Sequence, residues 1–278
     1  MVMTILVKQI EILYKNSYWG QFLMYYKHHF YFLVFLLVSV LLIPQIYALP
    51  DCGTIIPKEF RLEKLTNGTG YTQYEDVFVG VKTEDPLFEQ LFKLHVAKFN
   101  NISGSIIKFK NGPKEVYRSA ILSENIALLS ELVKERNVKT IVVLTSSKLF
   151  DTTPWLDKER KIFAALGGEH FLQILDFDSH FDINDSKEVE KNNRIITSII
   201  KLIANTDGNV LIHCLGGEHK TELVFEIMQK CFNKVDKDNI LQRYRCHTGW
   251  INSNNVGGFR KNNIKYILDY PCNLINDI

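Results

Sequence analysis

Val210-Leu-Ile-His-Cys-Leu-Gly-Gly-Glu-His-Lys-Thr221 is the stretch on which the reading of the chain turns. An apolar strand runs into Cys214, a Gly pair follows, then a basic residue and a Thr. From Glu222 to Phe232 the apolar spacing becomes helical. A strand, a tight turn and a helix with a Cys at its mouth place a thiol where the first helical N–H groups lack partners and the dipole favours negative charge. That setting lowers a thiol pKa and binds an anion.

Working outward, the segments before this stretch alternate between strand and helix patterns. Val116–Ser123 precedes a helical stretch with Ile126, Leu129 and Val133 on one face and Ser123 placed as its N-cap. Val138–Leu144 is a β-branched strand, Trp155–Ala165 a helix ended by Gly167-Gly168, and His170–Phe177 a second strand. An acidic loop over Asp178–Asp185 leads into a long helix, Ser186–Ala204, with Val189, Ile196, Ile199, Ile200 and Ile203 inward. These lengths predict an α/β fold with a mostly parallel central sheet and helices on both faces. After the Cys stretch, Asp236–Cys246 and Lys261–Leu268 have helical spacing, joined by a Gly/Asn loop over His247–Arg260 that contains Trp250. Residues 49–115 read as an extension packed on the core, with an edge strand at Val77–Val81, a short helix over Pro86–Phe99 and a strand beginning near Ile106-Ile107. Residues 116–278 read as the principal domain.

At His213, Cys214, five residues, a basic residue and Thr221, the sequence resembles the cysteine-dependent phosphatases of the tyrosine and dual-specificity type. Their signature is His-Cys, five residues, Arg, then Ser or Thr; here Lys220 holds the Arg position. The order of parts over residues 116–232 is similar as well. Bacterial members often carry a Tyr-Arg-Ser segment near the domain start, matched by Tyr117-Arg118-Ser119, although Arg118 by itself reads as a packing or surface residue. The resemblance implies a protein-tyrosine-phosphatase-like fold and hydrolysis of a phosphomonoester through a phospho-cysteine on Cys214. Backbone N–H groups of Leu215, Gly216, Gly217, Glu218, His219 and Lys220 would cradle the phosphoryl oxygens. His213 would orient the loop, and Thr221 would donate its hydroxyl to the Cys214 sulfur or cap the helix. The family takes its general acid from a loop ahead of the Cys: Asp182 is the first choice and Asp178 the second, with Asp176 poorer and Asp185 better suited to capping the next helix. Lys supplies charge without the guanidinium fork, and Glu218 puts a carboxyl at the lip of an anion site. The second reading is therefore a pseudophosphatase, a phosphate-binding module with little turnover. Substrates would be phosphorylated proteins or small phosphoesters. No cofactor is implied.

The amino end points to export. Phe30–Ile43 is apolar except for Ser39, with Lys27, His28 and His29 before it and Pro44–Ala48 after. That is the plan of a signal peptide cut after Ala48, periplasmic or secreted in outcome, and it is short for a spanning helix. The alternative is an uncleaved transmembrane anchor, the chain's single link to a membrane. From Met24 the same segment has ordinary signal-peptide length. Without residues 1–48 the chain carries 30 Lys plus Arg and 30 Asp plus Glu, a balance that suggests no nucleic-acid footprint and gives little support to a highly phosphorylated substrate. With Cys214 as nucleophile, Cys52, Cys231, Cys246 and Cys272 suffice for two disulfides in an oxidising compartment, one of them stapling the C-terminal helices. Asn67, Asn101 and Asn184 stand in glycosylation sequons. His170, His180, His213, His219 and His247 are scattered without ligand spacing, which predicts no metal. Lys220-Thr221 ends like a nucleotide-binding P-loop, but His219 stands where that loop needs Gly.

Overall fold

The structure, a computed structural model, describes residues 100–145, 153–248 and 260–278, with Gln90 alone outside those ranges. Phe30–Ile43, Val77–Val81, Cys52, Asn67, Trp250 and all of Pro86–Phe99 but Gln90 lie outside the described residues. Among the described residues no helix is long and apolar enough to cross a membrane.

Five strands form one sheet: β1 (Ser103–Phe109), β2 (Gly112–Ser119), β3 (Val138–Leu144), β4 (His170–Ile174) and β5 (Asn209–His213), in the order β1-β2-β5-β3-β4. β1 and β2 are an antiparallel hairpin; β2, β5, β3 and β4 run parallel. The fold is thus α/β with a mostly parallel sheet. β5 lies between β2 and β3, so its side chains are covered on both faces. This is why Val210-Leu-Ile is continuously apolar instead of alternating.

Alternation along the strands divides the core in two. Val116, Val142, Leu144, Val210 and Ile212 face α3 (Ser186–Asn205), α4 (His219–Cys231), α5 (Lys237–Thr248) and α6 (Lys261–Asp269). Tyr117, Ile141, Val143 and Leu211 face α1 (Ile126–Lys134) and α2 (Thr153–Ala165). Helices therefore cover both faces. α3 buries Ile196, Ile199, Ile200 and Ile203 as the sequence suggests, and Asp185 caps it by accepting from Lys187 N–H. Just past the end of α2, Gly167, with a φ of +101°, turns the chain so that Gly168 N–H reaches the Phe163 carbonyl at 2.9 Å, a Schellman closure.

Three local expectations are corrected. The N-cap of α1 is Asn125, whose side chain accepts from Leu128 N–H, not Ser123. The face follows the cap: Leu128, Leu129 and Leu132 are buried, whereas Ile126 is 53% exposed. The strand expected to reach Phe177 stops at Ile174, because β4 is an edge strand paired only to β3, and β3 ends at Leu144. Phe177 is instead fully buried on the α3–α6 side, where burying a Phe contributes about 1.5–3 kcal/mol and pins the acidic loop.

Two other helix ends are closed by lysines. Lys114 donates to the Ile203, Ala204 and Thr206 carbonyls at the end of α3. Lys230 donates to the carbonyls of Ile267, Leu268 and Tyr270 at the end of α6. Beside Lys230, Cys231 is bridged to Cys272, so α4 is stapled to the C-terminal turn; Cys246 is disulfide-bonded too.

Candidate active site

The loop joining β5 to α4 is held from outside by its carbonyls. His213 Nδ1 donates to the Cys214 carbonyl at 2.9 Å, and Ile121 N–H donates to that of Leu215 at 3.0 Å. Asn101 Nδ2 donates to the carbonyls of Gly216 and Gly217 at 3.0 and 3.1 Å. In a planar trans peptide the N–H points opposite the C=O. Four successive outward carbonyls therefore turn the N–H groups of Leu215, Gly216, Gly217 and Glu218 inward, as in an anion nest. α4 starts at His219, adding the positive end of its dipole at the same point. Gly217 is the conformational key. Its φ is +67°, and a Cβ there would lie 2.4 Å from the Ser119 carbonyl carbon and oxygen.

Cys214 is the free cysteine among the described residues and is partly exposed. Burial pushes its pKa up, but the Thr221 hydroxyl and N–H, the Lys220 charge and the Glu218 N–H outweigh it, and the net shift is downward. Thr221 stands in the first turn of α4 and is fully buried; the N-cap position belongs to Glu218.

Two buried networks support the loop. On the α1/α2 face, His213 Nε2 lies 3.0 Å from Glu159 Oε2, both side chains fully buried, and Glu159 Oε1 accepts from Leu122 N–H at 2.6 Å. Burial disfavours charge on His213, but the Glu159 carboxylate more than offsets it and the pKa is raised. Both ring nitrogens face oxygen acceptors, so the imidazolium is the form that satisfies them. On the other face Arg118, fully buried, pairs through Nε with Glu222 at 2.9 Å and donates through Nη1 to the Asn101 carbonyl and Oδ1 at 2.8 and 3.0 Å. It also donates to His247 Nδ1, leaving His247 Nε2 to donate to Ser103 Oγ at 3.1 Å. Burial, then Arg118 and Arg243, holds His247 neutral, well below the usual His range. Arg243 pairs with Glu226, one turn beyond Glu222, at 3.0 Å.

Glu218 does not present an anion at the lip. It is 4% exposed, and burial first, then the negative Cys214, holds its proton well above the ordinary carboxylate range. Its Oε2 is 3.5 Å from His219 Nε2, and His219 Nδ1 is 3.2 Å from the Tyr244 hydroxyl. Lys220 is buried, and its charge acts on Cys214 and on Asp178. Asp178 Oδ1 accepts from His180 N–H at 2.9 Å. Hydrogen bonds from His180 come first, against burial and with help from Lys220, in holding its carboxyl well below the usual range. Asp182 is exposed and closes an Asx turn, accepting from Asn184 N–H at 2.9 Å, while its own N–H donates to Glu188. The structure thus brings Cys214, Glu218, Lys220, Thr221 and Asp178 together and keeps Asp182 in the outer turn.

Three residues of the site, Asn101, Glu159 and Arg260, escaped sequence reading. Asn101 sits in a sequon, yet it is fully buried and spent on the loop carbonyls, so it is not a glycosylation acceptor. Arg118 takes the packing side of its sequence reading, fully buried beneath the loop. Glu159 resembles any helix carboxylate, and Arg260 belongs to a different element from the Cys loop. Their function depends on pairing over long sequence separations, for which no local pattern exists. Among the described residues no group of three His, Cys, Asp or Glu could hold a metal ion.

No protein-family model and no curated protein sequence matches the chain. Among solved structures, it is similar to the core catalytic domain of the PP-IP phosphatase Siw14 from S. cerevisiae in complex with citrate, at 20% identity and a TM-score of 0.40, over 60% of this chain and 85% of that one. It is also similar to P. aeruginosa TpbA in complex with phosphotyrosine, at 20% identity and a TM-score of 0.39, over 58% and 83% of the two chains. A third is the Cydia pomonella PTP-2 phosphatase, at 16% identity and a TM-score of 0.34, over 58% and 83%.

Proposed function

We propose that the chain hydrolyses phosphomonoesters through Cys214 without a metal. The observation that carries this reading is a partly exposed free thiol, lowered in pKa, at the base of a loop whose four successive carbonyls are all anchored on the outside. The thiolate attacks phosphorus, a P–S bond forms and the P–O ester bond breaks, with the leaving oxygen taking a proton. Water then attacks phosphorus, the P–S bond breaks and phosphate and thiolate are restored. The inward N–H groups take the charge on the non-bridging oxygens, and Lys220 adds a point charge. Protonated Glu218 does not oppose a phosphate dianion.

Asp178 is the proposed proton donor, since it shares Lys220 with Cys214. A bound dianion engages Lys220 and adds negative charge, and both changes raise the Asp178 pKa toward the protonated form a general acid needs. We place the protein outside the cytoplasm: the Cys231–Cys272 bridge and the apolar amino segment both favour an exported or membrane-anchored chain.

One observation favours the second reading, a phosphate-binding module: Lys220 lacks the planar fork that stabilises a phosphoryl transition state, a deficit worth about 3–4 kcal/mol. The full chain and Cys214→Ser, incubated with an aryl phosphate, separate the two. Hydrolysis by the first and none by the second is the expected result. Phosphate binding without turnover in either establishes the module instead.

A further inference from the structure

We infer that Arg260 supplies the guanidinium contact to the phosphoryl group that the Cys loop itself does not carry, an inference that rests on the phosphate-site reading above. Arg260 is at the N-cap of α6 and is 6% exposed. Its side chain does not cap the helix. It runs to the acidic loop, where Nη1 donates to Ser179 Oγ at 3.2 Å and lies 3.4 Å from His180 Nδ1. Those residues directly follow Asp178, the carboxylate that shares Lys220 with Cys214.

Arg260 lies within electrostatic reach of Tyr244, Glu218, Asp178 and Cys214. Three of them line the proposed phosphate site, and Tyr244 holds His219 of the same loop. A buried guanidinium keeps its charge and costs much to desolvate unless anions answer it. Because Glu218 holds its proton, Lys220 and Arg260 face, among the described residues, the Cys214 thiolate and Asp178. A phosphate dianion entering while Asp178 takes up a proton gives the cations a second set of acceptors. Lys220 meets them as a point charge, and Arg260 meets them with the parallel donors that suit two phosphate oxygens. The division explains how a loop with Lys at its basic position can still present a fork: the fork reaches the site from α6.

The test uses the full chain, with two readouts. One is protection of Cys214 from iodoacetamide by inorganic phosphate, which needs no turnover; the other is kcat and KM on an aryl phosphate. Arg260→Lys keeps the charge and loses the fork. It should remain folded by circular dichroism and lower kcat by about 100-fold, with phosphate protection weakened about tenfold. Arg260→Ala should lose more and be partly restored by added guanidinium ion; if it does not fold, Arg260→Lys decides alone. Both readouts within about threefold of the parent for Arg260→Lys overturn the inference. A parent that does not turn over, but whose phosphate protection is lost in the Arg260 variants, upholds Arg260 and removes the phosphatase reading. A parent whose Cys214 phosphate does not protect removes the inference.

Discussion

The two faces of the sheet support the same loop in different ways. On the α1/α2 face a single acid meets a single base, and every contact is positional: Glu159 holds His213 and the Leu122 amide, and His213 holds the Cys214 carbonyl. On the α3–α6 face Glu222 and Glu226 stand one turn apart against Arg118 and Arg243, with Glu218 above them. There burial is the first cause of raised carboxyl pKa values, against the pull of the arginines. One face fixes where the loop sits with a charged pair. The other shares protons among buried acids and so sets how much negative charge lies beneath the thiol.

The largest way to break this contrast is Arg118→Met. It strands Glu222 and releases Asn101 from its anchor, and breaking a buried pair from one side costs about 3–5 kcal/mol. Urea unfolding should show the loss to be smaller near about pH 5 than near about pH 8, because burial raises the Glu222 pKa to about 8, so near about pH 5 the carboxyl already holds its proton and has no charge left to strand. An equal loss at both values would mean that Glu222 carries no charge in the parent.

Glu159→Gln comes next, at about 1–3 kcal/mol. His213 has a raised pKa in the folded chain, so its contribution is complete below the ordinary His value of about 6.5 and is lost as the pH rises through the folded value. The stability gap between parent and variant should therefore shrink as pH rises through that window. A gap that widens would contradict a charged His213. Thr221→Val has the smallest expected effect. It removes the hydroxyl that helps hold the Cys214 pKa down without touching either paired network, and the pH profile of Cys214 alkylation should move up while stability changes little. An unmoved profile would assign the lowered pKa to the loop amides and Lys220 alone.

The strands and the long helix were legible because their signals are local. Val210-Leu-Ile is apolar on both faces and takes the central place, and the inward isoleucines of α3 recur at helical spacing. The Cys loop was legible for the same reason: nucleophile, glycines, Lys220 and Thr221 are contiguous. Misreadings begin where a partner decides. β4 stops when β3 stops, whatever the apolar residues beyond it. Asn125 outcompetes Ser123 by reaching the Leu128 amide, a choice of two residues that rotates the whole face of α1. Asn101, Glu159 and Arg260 carry ordinary surface residue types, and only folding brings them under or beside the loop. Glu218 was legible as a position but not as a charge state, which is set by its burial beside Cys214.

The central claim is that Cys214 becomes phosphorylated during turnover. The full chain, mixed with excess aryl phosphate, quenched in acid within the first turnover and digested, should yield the Cys214 peptide carrying one added phosphoryl group. The same peptide from Cys214→Ser should carry none, and product release should fall with it. Hydrolysis at the parent's rate by Cys214→Ser, with no phosphoryl group on Cys214 in the parent, would contradict the account.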